Sequence, residues 1–276
     1  AIAGLGLDKP FHMQYLLFLR GALRGDLGES FIFEEPALLL IVERMPATME
    51  LALFALLIAV VIGIPLGMLA GFRPESITAK TIMSGSILGF SLPSFWVGIM
   101  MMVLFAVHLG WLPSTGRGPT SEWFGIEVSF TSWKGISYLL MPAINLSLFK
   151  LALVIRLARA GTREVVHQDY IKFARAKGIS SSRIILVHLL KNILIPVVTV
   201  LGLEFGGLVA FSVVTETVFA WPGMGKLLID SIGMLDRPVI VAYLMMIVFL
   251  FVVINLVVDI LYSILDPRVR LQEMKA

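Results

Sequence analysis

Five stretches of the chain are apolar on nearly every face, with most ionic residues pushed to their ends. They run from Met49 to Phe72, Thr81 to Leu109, Ser137 to Ala158, Ile193 to Val218 and Val239 to Leu265. A helix needs about 20 mostly apolar residues to cross hydrocarbon. Each run contains or adjoins Gly or Pro, notably Pro65, Pro93, Pro142 and Pro196, which bundled membrane helices tolerate because neighbours re-satisfy the freed backbone groups. Membrane strands would alternate polar and apolar positions over segments of about 10 residues, and these runs do not. The pattern predicts an all-α, polytopic membrane helix bundle with five spanning helices.

Composition closes the soluble alternative. Hydrophobic residues make up 58% of the chain and charged residues 15%, too few charges to supply the polar skin of a soluble domain. Zero cysteines exclude a disulfide framework and a thiolate site. The distribution of Lys and Arg sets the orientation. Thirteen fall in the Arg73 to Lys80 loop, the Arg156 to Lys191 connection and the tail, against eight in the remaining connections. The richer side is expected to be cytoplasmic, which puts the C-terminus inside and Ala1 outside. Residues 1–48 then form an external lead-in without a signal peptide, and residues 49–276 the membrane domain. The expectation is that a further, sixth spanning helix precedes the sequence.

The basic connection over 159–192 is too long and too patterned for a passive turn. Asp169 is read as an N-cap and Gly178 as a helix stop, and between them Tyr170, Phe173, Ala174 and Lys177 fall at i, i+3, i+4 and i+7. A second helix starts from the serines that follow and runs into the fourth span. On physical grounds alone the first helix serves equally as an interfacial helix among lipid headgroups or as a docking helix for a partner, because basic amphipathic stretches do both.

The stretch DYIKFARAKGISSSRIILVHLLKNILIPVVT, Asp169 to Thr199, resembles the cytoplasmic ATPase-docking loop of the inner-membrane permease subunits of binding-protein-dependent ABC importers, in their oligopeptide, dipeptide and nickel branch. Three further blocks are similar to that branch: RGDLGES at Arg24 to Ser30 with ERMPATMELAL at Glu43 to Leu53, TETVFAWPGMGKLL at Thr215 to Leu228, and LDPRVR at Leu265 to Arg270. Of the wider superfamily's form of the docking loop, Ala174, Gly178 and Leu190 survive. The resemblance implies a permease that forms the path for di- or oligopeptides or a related small solute in the cell inner membrane. It also implies partners: two ATPase subunits that bind ATP and Mg, a second homologous permease, an external solute-binding protein and membrane lipid. Asp169, Tyr170, Phe173, Ala174, Lys177 and Gly178 become the docking candidates, with the two aromatic rings as anchors and Ala174 permitting close approach.

The remaining chemistry is sparse. No phosphate-cradling GxxxxGK[ST] loop is present, so ATP hydrolysis is expected on separate subunits and no cofactor on this chain. Gly223, Gly225 and Lys226 are read as a turn followed by a short helix. The four His are scattered without metal-ligand spacing, and neither a metal, a catalytic set nor nucleic-acid binding is expected. Ionisable groups inside spans are functional candidates because they are expensive there. Asn145 and Glu204 are the translocation-path candidates, Lys150 sits mid-span, and Asp259 is read as structurally paired. Trp111, Trp123, Trp133 and Trp221 are placed for aromatic belts. The rival reading is a secondary transporter driven by an ion gradient, which should show internal repeats and a midplane ion site; no repeat is evident.

Overall fold

A computed structural model describes residues 10–265. The chain opens with α1 (Phe11–Ala22), whose residues are exposed or half-exposed all round. A turn through Gly25 and Gly28, both with positive φ, leads to α2 (Ala37–Phe72). This helix begins well before Met49, so position 48 lies inside one continuous helix. Pro36 at its N-cap sets the start, where proline's fixed φ and missing N–H cost least. Glu43 and Arg44 interrupt the hydropathy there without interrupting the helix.

The second run is broken. Helix α3 (Ile77–Ser91) and α4 (Ser94–Met101), which continues into a π-helical turn over Met102–His108, meet at 103°. The break sits at Leu92, which is extended (φ −78°, ψ 138°), and Pro93. Proline pushes the preceding residue out of the helical region and cannot donate the next ladder bond. Beyond α4 a short antiparallel hairpin pairs β1 (Ser121–Trp123) with β2 (Ile126–Val128). Its two-residue turn, Phe124 and Gly125, has positive φ at both positions, the geometry that matches strand twist. This hairpin is a small β addition to the helical bundle.

Helix α5 (Trp133–Val166) is capped by Ser132, whose side chain accepts from Gly135 N. It is followed by α6 (Asp169–Ala176) and by α7 (Ser181–Arg183), which passes through a π-helical stretch, Ile184–Leu189, into α8 (Leu190–Val218). Then come α9 (Met224–Gly233) and α10 (Arg237–Leu265). Among the described residues four helical stretches are long and apolar enough to span a membrane, and a fifth is reached when the bent α3–α4 pair is counted as one span.

The tightest seam joins α2 to α5. Gly63, Gly67 and Gly71 recur every fourth residue and face Val154, Ala158 and Thr162, which recur at the same interval. A Cβ at Gly67 would lie 2.6 Å from the Ala158 Cβ and from the Ile155 carbonyl oxygen. In lipid no hydrophobic force drives helices together, so this close backbone approach supplies the packing. Apolar packing divides into two clusters. One is at the hairpin end, around Leu51, Leu139, Trp221 and Tyr243; the other is at the α6 end, around Ile171, Ala174, Leu189 and Ile193.

Candidate functional site

Helix α6 lies at the base of the bundle with two distinct faces. Ile171 and Ala174 are buried, packed within the same cluster as Ile184 and Leu189, while Tyr170 and Phe173 stay 44% and 60% exposed. Spacing at i and i+3 explains both pairs: each pair stacks one turn apart, and the apolar seat and the aromatic face lie about 100° from one another round the helix. Gln168, not Asp169, occupies the N-cap. Asp169 is the first helical residue and pairs with Lys172 at 2.9 Å, and its charge suits the helix N-terminus. At the other end Gly178 adopts φ +74°, Lys177 N donates to Phe173 O and Ile179 N donates to Ala174 O, a left-handed stop that glycine accommodates without strain. The Lys177 Nζ stands 4.6 Å from the centre of the Phe173 ring, a cation–π contact on the exposed face. Asn192, in the first turn of α8, donates to the Tyr170 hydroxyl at 3.1 Å. The hydroxyl is thereby tied to the chain's own bundle while the ring stays accessible.

Midway along α5 and α8, Lys150 Nζ and Glu204 Oε2 are 2.6 Å apart. The Lys150 side chain is 15% exposed and that of Glu204 47%, so the pair opens onto a face the chain does not cover. Asn145, by contrast, is fully enclosed and donates to Thr215 Oγ1 at 3.2 Å. It joins α5 to α8 from inside the bundle.

Buried carboxylates close the hairpin end, and two of them tie α2 to its neighbours. Glu216, at the last turn of α8, accepts from Thr48 Oγ1 at 2.7 Å, Ser212 Oγ at 2.9 Å and Lys226 N at 3.0 Å. Thr48 Oγ1 in turn accepts from Met224 N, and Trp221 Nε1 donates to Ala47 O, both at 2.8 Å. A Cβ at Gly223 would land on the Glu216 carboxylate, and one at Gly225 would lie 2.6 Å from the Val213 Cα. The two glycines therefore let the chain close round the acid. Glu50, one turn into the bundle from Ala47, accepts from Ser129 N, Ser129 Oγ and Phe130 N and pairs with Arg117 at 2.5 Å. Satisfied in this way, the two carboxylates bolt α2, α8, the hairpin loop and α9 into one unit.

Residues 63–271 match the family model of the binding-protein-dependent transport system inner membrane component. That match spans most of the chain. The chain belongs to this family. Among its relatives, a di/tripeptide transport system permease protein of Pseudomonas aeruginosa is 40% identical, covering 99% of this chain and 84% of its own. A dipeptide transport system permease protein of Escherichia coli K12 is 38% identical over 98% and 84%. In fold the chain is similar to the MetNI methionine ABC transporter in an inward-facing conformation, at TM-score 0.63 and 20% identity over 82% of this chain and 96% of that one.

Membership makes the protein a multi-pass inner-membrane permease component of an import system; the ion-gradient alternative finds no support. Against this family background several residue expectations change. Ala174 faces the bundle instead of sharing the Tyr170 and Phe173 face, and Ile171, which the spacing argument passed over, anchors the helix beside it. Trp221 is fully buried and hydrogen-bonded, a core residue and not a belt residue. Trp111, Trp123 and Trp133 are exposed. Asp259 stands exposed on α10, in no ion pair among the described residues. The LDPRVR block beyond Leu265 lies outside the described residues. In sequence Glu216 is hidden, because TET at a span terminus reads as an end signal. The clue was present in the two glycines seven and nine positions later, too many for the turn alone.

Proposed function

We propose that this chain is one of two permease subunits of an ATP-driven importer of di- or tripeptides, moved by ATPase subunits that grip α6. The carrying observation is the two-sided build of that helix: a buried seat of Ile171 and Ala174, an accessible aromatic pair of Tyr170 and Phe173, and a hydrogen bond from Asn192 that ties Tyr170 to the start of α8. A helix held this way passes the movement of a partner into a spanning helix as a rigid-body rotation, the common route to alternating access. The excess of Lys and Arg at the α6 end supports a cytoplasmic location for it, where the ATPases and their ATP and Mg reside, and a cytoplasmic C-terminus. The opposite end, with the exposed Trp123 and Phe124 of the hairpin turn, then meets the solute-binding protein. Peptide cargo is supported by the names of the relatives, and Glu204 is kept as the path residue.

The test is reconstitution of the chain with its second permease, two ATPase subunits and the delivery protein in liposomes. ATP-dependent uptake is expected, and a proton gradient without ATP should drive none. The paired Tyr170→Ala, Phe173→Ala change should cut uptake by about tenfold or more, as removal of two aromatic anchors does at other interfaces, while ATP hydrolysis continues. Undiminished uptake would remove α6 as the docking element.

A further inference from the structure

We propose that Lys150 and Glu204 form a binding site for both ends of a short zwitterionic peptide on its way through the membrane. This rests on the importer reading above and adds to it the feature of the cargo that the path itself recognises.

The two charges project from the middles of α5 and α8, far from either end of their spans, and the Glu204 side chain is about half exposed at 47%. An ion pair so placed cannot face hydrocarbon cheaply, so the face that carries it must be covered by water or by protein. A purely structural pair between two helices is best enclosed by them, as Asn145 and Thr215 are on the same pair of helices. The half-exposed Glu204, reached by a Lys150 that is mostly covered, therefore marks a surface offered to something else.

The chemistry of that surface is matched to a dipolar ligand. The site is neutral overall, so it disfavours a free cation or anion. A peptide zwitterion presents a carboxylate to the Lys150 ammonium and an ammonium to the Glu204 carboxylate. When no cargo is present the two side chains satisfy one another at 2.6 Å; when cargo enters, one ion pair is exchanged for two without leaving a charge unpaired, which keeps the cost of passage low. Length selection follows. The ends of an extended dipeptide are about 7 Å apart, within what two long side chains cover by changing rotamers, whereas a pentapeptide spans roughly 17 Å and cannot be held at both ends by this pair.

The chain contains no cysteine, so a single Leu203→Cys change, at a residue 45% exposed beside Glu204, gives a clean reporter. The full complex in nanodiscs would be labelled with a water-soluble thiosulfonate in the presence of dialanine, N-acetyl-dialanine or dialanine amide, with labelling read on this chain. The site predicts that the reporter labels and that dialanine protects it. Each blocked peptide should need roughly tenfold more for the same protection, the fold-change of one lost charge-assisted contact. With Glu204→Gln the acetylated and free peptides should become equivalent; with Lys150→Met the amide and free peptides should. Lys150→Arg, which keeps the charge, should keep the discrimination and so guards against a mere folding defect. A reporter that does not label, no protection by dialanine, or equal protection by all three peptides would overturn the proposal. ATP-driven uptake by the unmutated complex would still stand in each of those cases and keep the importer reading separate.

Discussion

The buried acid Glu216 is a residue whose surroundings decide its value. It sits in a cradle of three donors from α2, α8 and α9, and the backbone closes on it only because Gly223 and Gly225 lack side chains. Thr48→Val keeps the shape of the side chain but removes its hydroxyl, leaving Met224 N and one carboxylate oxygen without that partner. The oxygen keeps Ser212 as a donor, but the orphaned Met224 N–H costs about 1–3 kcal/mol, so the variant should unfold at a clearly lower temperature in detergent, measured by tryptophan fluorescence of the purified complex. Gly223→Ala should do the same by pushing the carboxylate out of its cradle. At the other end of α8, Asn192→Leu removes the donor to the Tyr170 hydroxyl. The account expects Tyr170→Phe and Asn192→Leu each to weaken the link between hydrolysis and uptake, and the double variant to be little worse than either alone. Additive losses would show that the two groups act separately.

Among elements, the α2–α5 seam and the seat of α6 hold the bundle and its docking helix together. Gly67 permits a separation that no larger residue does, and overpacking of this kind typically costs about 1–3 kcal/mol. Gly67→Leu should therefore lower the yield of assembled complex, scored by size-exclusion chromatography, more than Gly85→Leu does, because nothing lies within 4 Å of a Cβ at Gly85. Ile171→Ala should loosen α6 from the bundle while leaving its exposed aromatic face intact, and an increase in amide exchange confined to Asp169–Ala176 would register it. The helices themselves were legible because a run of apolar residues on all faces has few other solutions. Two of their details were not. The start of α2 at Ala37 was masked by Glu43 and Arg44, which lower the local hydropathy although packing keeps the helix continuous. The break at Pro93 was legible as a proline, but its 103° angle is set by what α3 and α4 pack against. The glycine spacing on α2 was readable as a small-residue stripe, although its partner helix was not.

For the whole molecule, the picture is a bundle bolted at the hairpin end by Glu216 and Glu50, held along its length by glycine contacts, and open midway where Lys150 meets Glu204. Its docking candidate is at the far end. The existence, glycine stop and aromatic character of α6 could be read in advance because Gly178 and the apolar spacing are local signals; its N-cap fell one residue earlier than Asp169. Which of its residues face inward could not, since that depends on how α7 and α8 return beneath it, and the partner of Lys150 lies fifty-four positions away. The central claim is that the chain is a gate moved from outside through α6. Replacing Phe173 with a photo-crosslinking phenylalanine analogue in the membrane-embedded complex, and identifying what it captures, tests this most directly. The account predicts a covalent adduct with an ATPase subunit; capture of lipid alone would contradict it.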